Sequence, residues 1–270
     1  MMSRREKMIA VLPTLLTLGN AACGFAALTF AAKVGPESTE GTDPLFIAAI
    51  FIYVAMIFDM LDGHAARLTN QTSDFGAELD SLCDAISCGV APAFLMLQFC
   101  GDFHPRILWV IGALYAVCAV LRLARFNVET EEDDSHEFFS GLPSPAAAGT
   151  VASFPIAMHG LRKLAELETP IGEAATWAIP LMTVALPAVT LGVAFLMVSR
   201  LRYAHVFNQL FRGRKSRTHL VQLVFTVAII FTVRELAVPL IFCIFAFATP
   251  IKAGIREAYV RLRPNKTQEA

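Results

Sequence analysis

Residues 59 to 84 read DMLDGHAARLTNQTSDFGAELDSLCD, and the reading of this stretch from Asp59 to Asp84 decides how the rest of the chain is understood. It sets Asp59, Asp62, Asp80 and Asp84, with Arg67 and two glycines, between segments that are almost wholly apolar. A carboxylate inside a membrane is costly enough to mark a functional site by default. The spacing narrows the role. Asp59 and Asp62 are three residues apart and Asp80 and Asp84 four apart, so on helices each pair shares one face. Like charges held that close repel unless a cation sits between them. Hard oxygen ligands suit Mg²⁺ or Mn²⁺, not zinc, and two facing helices with two carboxylates each would hold one ion or, as expected here, a pair.

Outside this stretch the chain is greasy. Of 270 residues 56% are hydrophobic and only 17% charged, which predicts one all-α, polytopic membrane domain over residues 1–270 and excludes an ordinary soluble enzyme. A spanning helix needs ~20 apolar residues. Eight stretches qualify or nearly so: 13–32, 44–61, 76–99, 106–127, 141–161, 175–198, 218–233 and 236–250. Basic residues gather in the first eleven positions, in 199–217 and in 252–270, so both termini and that loop belong in the cytoplasm, while the acidic loop 33–43 lies outside. The second span then ends, and the third begins, at the cytoplasmic mouth, with Gly63 to Ser73 as a polar connection between them. Arg162 and Lys163, in an expected external loop 162–174, sit on the disfavoured side, which long basic side chains tolerate by snorkelling.

Cys23, Cys83, Cys88, Cys100, Cys118 and Cys243 lie scattered in apolar runs without a close pair, so they read as packing residues and not as disulfides or zinc ligands. The net charge of −1 gives no reason to expect a nucleic-acid partner. His64 and Glu78 fall inside the acidic stretch as variable positions.

The eight positions Asp59, Asp62, Gly63, Ala66, Arg67, Gly76, Asp80 and Asp84, at their spacing, resemble the complete signature of the CDP-alcohol phosphotransferases. These are integral membrane enzymes that move a phosphatidyl or related group from a CDP-linked lipid to an alcohol. Within that family, the run from Arg122 to Asn127 (RLARFN), the run GLPSPAAA from Gly141, the Ser81-Leu82 that follows Asp80 and the VSRLRY of Val198 to Tyr203 are similar to the phosphatidylserine synthase branch. The PTLLTLGN run from Pro13 is similar to the start of the family's first helix. The resemblance makes 1–203 the family core and 204–270 an addition of a basic loop, two spans and a basic tail.

The resemblance also assigns roles. Asp59, Asp62, Asp80 and Asp84 would hold the metal, and Asp84 would also take the proton of the serine hydroxyl. Gly63, Ala66, Arg67, Ser73 and Gly76 would contact the CDP group, consistent with glycine's tolerance of close approach and arginine's fit to phosphate. The implied substrates are CDP-diacylglycerol and L-serine, with glycerol phosphate, inositol phosphate or choline as alternative acceptors. The implied assembly is a homodimer in a bacterial inner membrane, its active site facing the cytoplasm among membrane lipids.

Arg122 and Arg125, at the cytoplasmic end of the fourth span, are candidate contacts for the serine carboxylate or a phosphate, with Asn127 beside them; the competing reading is that they anchor the helix at the interface. The basic run from Arg200 to Arg217 reads as a topology determinant or a contact for anionic lipid headgroups. A cation-coupled transporter would explain the acids. It would not explain the glycines or Arg67, and it would need more polar residues deep in the spans. A structural membrane protein explains none of them.

Overall fold

The computed structural model describes residues 4–33, 43–68, 74–101, 103–132, 138–167, 169–204 and 236–262. They form helices α1 (Arg4–Ala31), α2 (Pro44–Leu68), α3 (Asp74–Asp84), α4 (Ala91–Phe99), α5 (Pro105–Glu132), α6 (Ser144–Ala165), α7 (Pro170–Val198) and α8 (Ala237–Leu262). A wider, π-helical turn, Ala85–Val90, joins α3 to α4. One antiparallel ladder of two short strands, β1 (Phe138–Ser140) and β2 (Arg202–Ala204), interrupts the helical pattern. The expected span at 218–233 and the part of the basic loop from 205 to 217 lie outside the described residues, as does the tail past Leu262.

Among the described residues, five stretches are long and apolar enough to cross a bilayer: Leu12–Ala31, Pro44–Ala65, Phe75–Phe99, Pro105–Val128 and Gly172–Val198. Their outward faces carry large bare hydrophobics such as Phe25, Trp109, Trp177 and Leu181, which water would not tolerate together and lipid would cover. The expected fifth span, α6, is of another kind. Its Ser, Ala, Gly and Thr carry little hydropathy, yet 13 of its 22 residues are buried, because small side chains let α2, α7 and α8 close on it. The Tyr53 hydroxyl of α2 donates to the Gly149 carbonyl at 2.8 Å, and Phe242 of α8 lies where any side chain on Gly149 would have to go.

Several boundaries differ from expectation. Gly63 does not end α2: the helix runs on through Ala65, Ala66 and Arg67 to Leu68, good helix formers that offset the roughly 1 kcal/mol cost of a glycine. The polar connection is correspondingly shorter, since α3 already starts at Asp74. Pro13 falls inside α1, not in its first turn. The predicted external loop 162–174 shrinks as well. α6 continues to Ala165, and α7 begins at Pro170, with the Thr169 hydroxyl accepting from the Gly172 amide at 3.3 Å as an N-cap.

Candidate active site

α2 supplies Asp59 and Asp62 one turn apart, and α3 supplies Asp80. One carboxylate oxygen from each lies within 4.8 Å of the other two. The convergence of two helices expected from spacing alone is therefore present. At that separation each like-charge pair costs roughly 3 kcal/mol or more at an effective dielectric of about 20. Asp62 and Asp84 are buried, whereas Asp59 and Asp80 are half-buried. Asp62 Oδ2 and Asp80 Oδ1 are buried without a hydrogen-bond partner. Buried acceptors are normally paired. Orphaned carboxylate oxygens inside a cluster of like charges are what a divalent cation would satisfy, so the residues fit Mg²⁺ or Mn²⁺.

Asp84 stands one turn beyond Asp80 and outside that close group of three. It has its own partner, from a helix whose role the sequence did not reveal. Asn20 of α1, fully buried, donates from Nδ2 to Asp84 Oδ1 at 2.8 Å. The orientation of that amide is forced, since a carboxylate offers no donor. One turn earlier on the same face, the buried Thr17 hydroxyl, which donates to the Pro13 carbonyl at 3.0 Å, borders the Asp62 carboxylate together with the Gly63 amide. The missed signal was modest: two polar residues at i and i+3 within the apolar PTLLTLGN run.

The remaining predicted residues divide. Arg122 of α5 lies within electrostatic range of both Asp59 and Asp84. Its Nη1 donates to Ser144 Oγ at 2.6 Å, and its guanidinium lies 5.6 Å from the centre of the Phe126 ring. It is thus held by the first residue of α6 within reach of the acidic side chains. Arg125 is half-buried on the same helix. Asn127 turns to α3, its Nδ2 donating to Ser81 Oγ at 2.9 Å, and so braces α3 against α5. Gly63 and Gly76 lie in α2 and in the first turn of α3. The backbone of Ala66 and Arg67 is helical, but their side chains, like Ser73 as a whole, fall outside the described residues. His64 and Glu78 are exposed. Cys83, Cys88, Cys100 and Cys118 are buried and Cys23 and Cys243 half-buried, all as free thiols.

Two of the runs similar to one branch of the family, the one from Gly141 and the one from Val198, meet in space. Gly141, at φ +87°, donates its amide to the Leu201 carbonyl at 2.8 Å, and Leu142 donates to Leu196 at 3.0 Å. β1 pairs with β2 in register Ser140 to Arg202. The first turn of α6, and with it Ser144, is fastened to the end of α7.

A bundle of helices with bare apolar outer faces, carrying an acidic cluster where the ends of two helices meet, defines a polytopic membrane protein. More narrowly, the chain belongs to the CDP-alcohol phosphatidyltransferase family, whose model matches residues 10–189. It is similar to a CDP-diacylglycerol–serine O-phosphatidyltransferase of Mycobacterium tuberculosis, 39% identical over 149 residues, which is 54% of this chain and 49% of that one. A protein of the same name from Helicobacter pylori is 46% identical over 104 residues, 38% of this chain and 44% of the other. An archaetidylserine synthase of Methanothermobacter thermautotrophicus is 41% identical over 145 residues, 53% and 57%. The chain spans about half the length of the curated relatives it matches.

Proposed function

We propose that this protein transfers the phosphatidyl group of CDP-diacylglycerol to the hydroxyl of L-serine, giving phosphatidylserine and CMP. The observation that carries this reading is the close group of Asp59, Asp62 and Asp80 with its orphaned oxygens, set beside Asp84 inside the family-matched region. The serine oxygen bonds to the phosphorus that bears diacylglycerol, the bridging pyrophosphate bond to that phosphorus breaks, and CMP leaves with the bond's electrons. Asp84 accepts the hydroxyl proton, held in place for it by Asn20. Asp59, Asp62 and Asp80 would hold Mg²⁺ or Mn²⁺, as two ions if Asp84 also ligates, and such an ion supplies charge neutralisation and alignment at the phosphate oxygens.

Arg122 offers a planar set of donors for the serine carboxylate, steadied by Ser144 and Phe126. Arg125 is a second cation on the same helix, while Gly63, Ala66, Arg67, Ser73 and Gly76 contact the CDP group. Met60, Phe75 and Leu82, on the two helices that carry the acids, are exposed apolar side chains of the kind that diacylglycerol chains would cover. The protein acts as a homodimer in a bacterial inner membrane, with eight spans, both termini and the acidic site on the cytoplasmic side.

The test is CMP release from CDP-diacylglycerol by the purified protein in lipid nanodiscs with Mg²⁺ or Mn²⁺. Release that rises with L-serine and yields phosphatidylserine is the expected result. Stimulation by glycerol phosphate, inositol phosphate or choline alone defeats the serine assignment and leaves the family chemistry standing. Metal-independent ion flux without CMP release defeats both.

A further inference from the structure

Pro92 has no N–H to give to the Cys88 carbonyl one turn before it, and its ring would crowd that carbonyl in a regular helix. The chain answers with the wide turn Ala85–Val90, in which the Ala91 amide donates to Ile86, five residues back. The Cys88 carbonyl is not left bare. It accepts from the hydroxyl of Tyr115 on α5 at 3.1 Å, in fully buried surroundings. On the opposite side α1 comes so near that a Cβ on Gly24 would stand 2.9 Å from the Ser87 Cα.

The turn begins directly after Asp84. One residue more in the winding rotates the helix on its N-terminal side by about 100° relative to the helix on its C-terminal side, at 3.6 residues per turn. Asp80 and Asp84 are thereby aimed at α1 and α2, while Cys88, Ala91 and Leu95 still pack against Ile52 and Ala148 in the core. Wide turns of this kind recur at functional sites.

We propose that Tyr115, acting through the Cys88 carbonyl, is a positioning residue that holds the wide turn and so aims Asp84 at the acceptor hydroxyl. The inference rests on Asp84 being the proton acceptor of the proposed reaction. Tyr115 touches neither substrate, so its effect falls on kcat and not on binding.

The experiment compares wild type, Tyr115→Phe, Pro92→Ala and the double variant in nanodiscs, by CMP release with L-serine, Mn²⁺ affinity by electron paramagnetic resonance, and Tm. Tyr115→Phe is expected to lower kcat about 10- to 100-fold, the scale on which a displaced catalytic group loses rate. KM for both substrates and Mn²⁺ affinity stay within about twofold, because Asp59 and Asp62 stand on α2 and Asp80 lies one turn farther from the wide turn than Asp84. Pro92→Ala restores an N–H to the Cys88 carbonyl, so the double variant regains the Tm lost in Tyr115→Phe but not its kcat. Unchanged kcat in folded Tyr115→Phe, or kcat recovering together with Tm in the double variant, overturns the role. Should Tyr115→Phe not accumulate, Gly24→Ala, pressing on Ser87 from the other side, is read by the same criteria. A wild type without serine-dependent CMP release defeats the assigned reaction itself, whereas an active wild type beside an unimpaired Tyr115→Phe defeats only the role of Tyr115.

Discussion

α2 carries acid at both ends, and the two ends are treated in opposite ways. Its 25 residues extend about 37 Å at 1.5 Å per residue. At the start, Asp43 Oδ1 accepts from the Leu45 amide at 3.1 Å, and Oδ2 meets Arg162 Nη1 at 3.4 Å and His159 Nδ1 at 3.9 Å. His159 in turn stacks on Phe46 at 4.4 Å. Arg162, expected on the side that the charge rule disfavours, meets a carboxylate there. Toward the other end, Asp62 and Asp80 keep buried oxygens without partners, and like charges crowd together. Whether the carboxylate oxygens are satisfied separates a clasp that serves the fold from a cluster that leaves its oxygens open.

That contrast can be broken most sharply at Asp84. Asp84→Asn keeps the shape and an acceptor for Asn20, yet CMP release should fall by roughly 10²–10⁴-fold, the usual worth of a general base; activity within a few fold of wild type would remove Asp84 from that role. Next comes the cation. Added to chelator-stripped protein at about 100 times its Kd, Mg²⁺ or Mn²⁺ should stabilise by about 2.7 kcal/mol in thermal unfolding. Asp62→Asn and Asp80→Asn should raise the Tm of the metal-free protein and blunt the response, and an equal response in all three proteins counts against the site. Asn20→Ala removes a buried hydrogen bond to a charged group, worth about 1.5–3 kcal/mol, so kcat/KM should drop by roughly 10- to 100-fold. The smallest effect belongs to the clasp. Asp43→Asn should cost under about 1 kcal/mol, since Arg162 is largely solvated, and should leave CMP release unchanged; a large loss there would erase the distinction between the ends.

Much of this was legible in the sequence because membrane physics is coarse. Runs of apolar residues marked the spans around α1, α2, α5 and α7, and the i, i+3 and i, i+4 spacing of the aspartates put them on shared faces. What escaped was local. Asn20 is a single amide in an apolar run, and nothing short of packing α1 against α3 shows that it meets Asp84. The continuation of α2 past Gly63 was hidden because one glycine weighs more in a sequence pattern than in a helix supported from both sides. The wide turn after Asp84 depends on Pro92 and Tyr115 together, 23 residues apart in the chain and on different helices. α6 was expected as one more greasy rod, whereas its small residues make it the element that others surround.

The fastening of Gly141 and Leu142 to the end of α7 has a consequence for how such a protein changes over time. A side chain on Gly141 would run into the Met197 carbonyl and need a backbone angle that L residues rarely adopt. The turn therefore cannot drift alone. Since it carries Ser144, and Ser144 steadies Arg122, substitutions around Leu201 and Arg202 reach the mouth of the site through a buckle some sixty residues upstream. Descendants that alter one of these two distant stretches have to alter the other in concert.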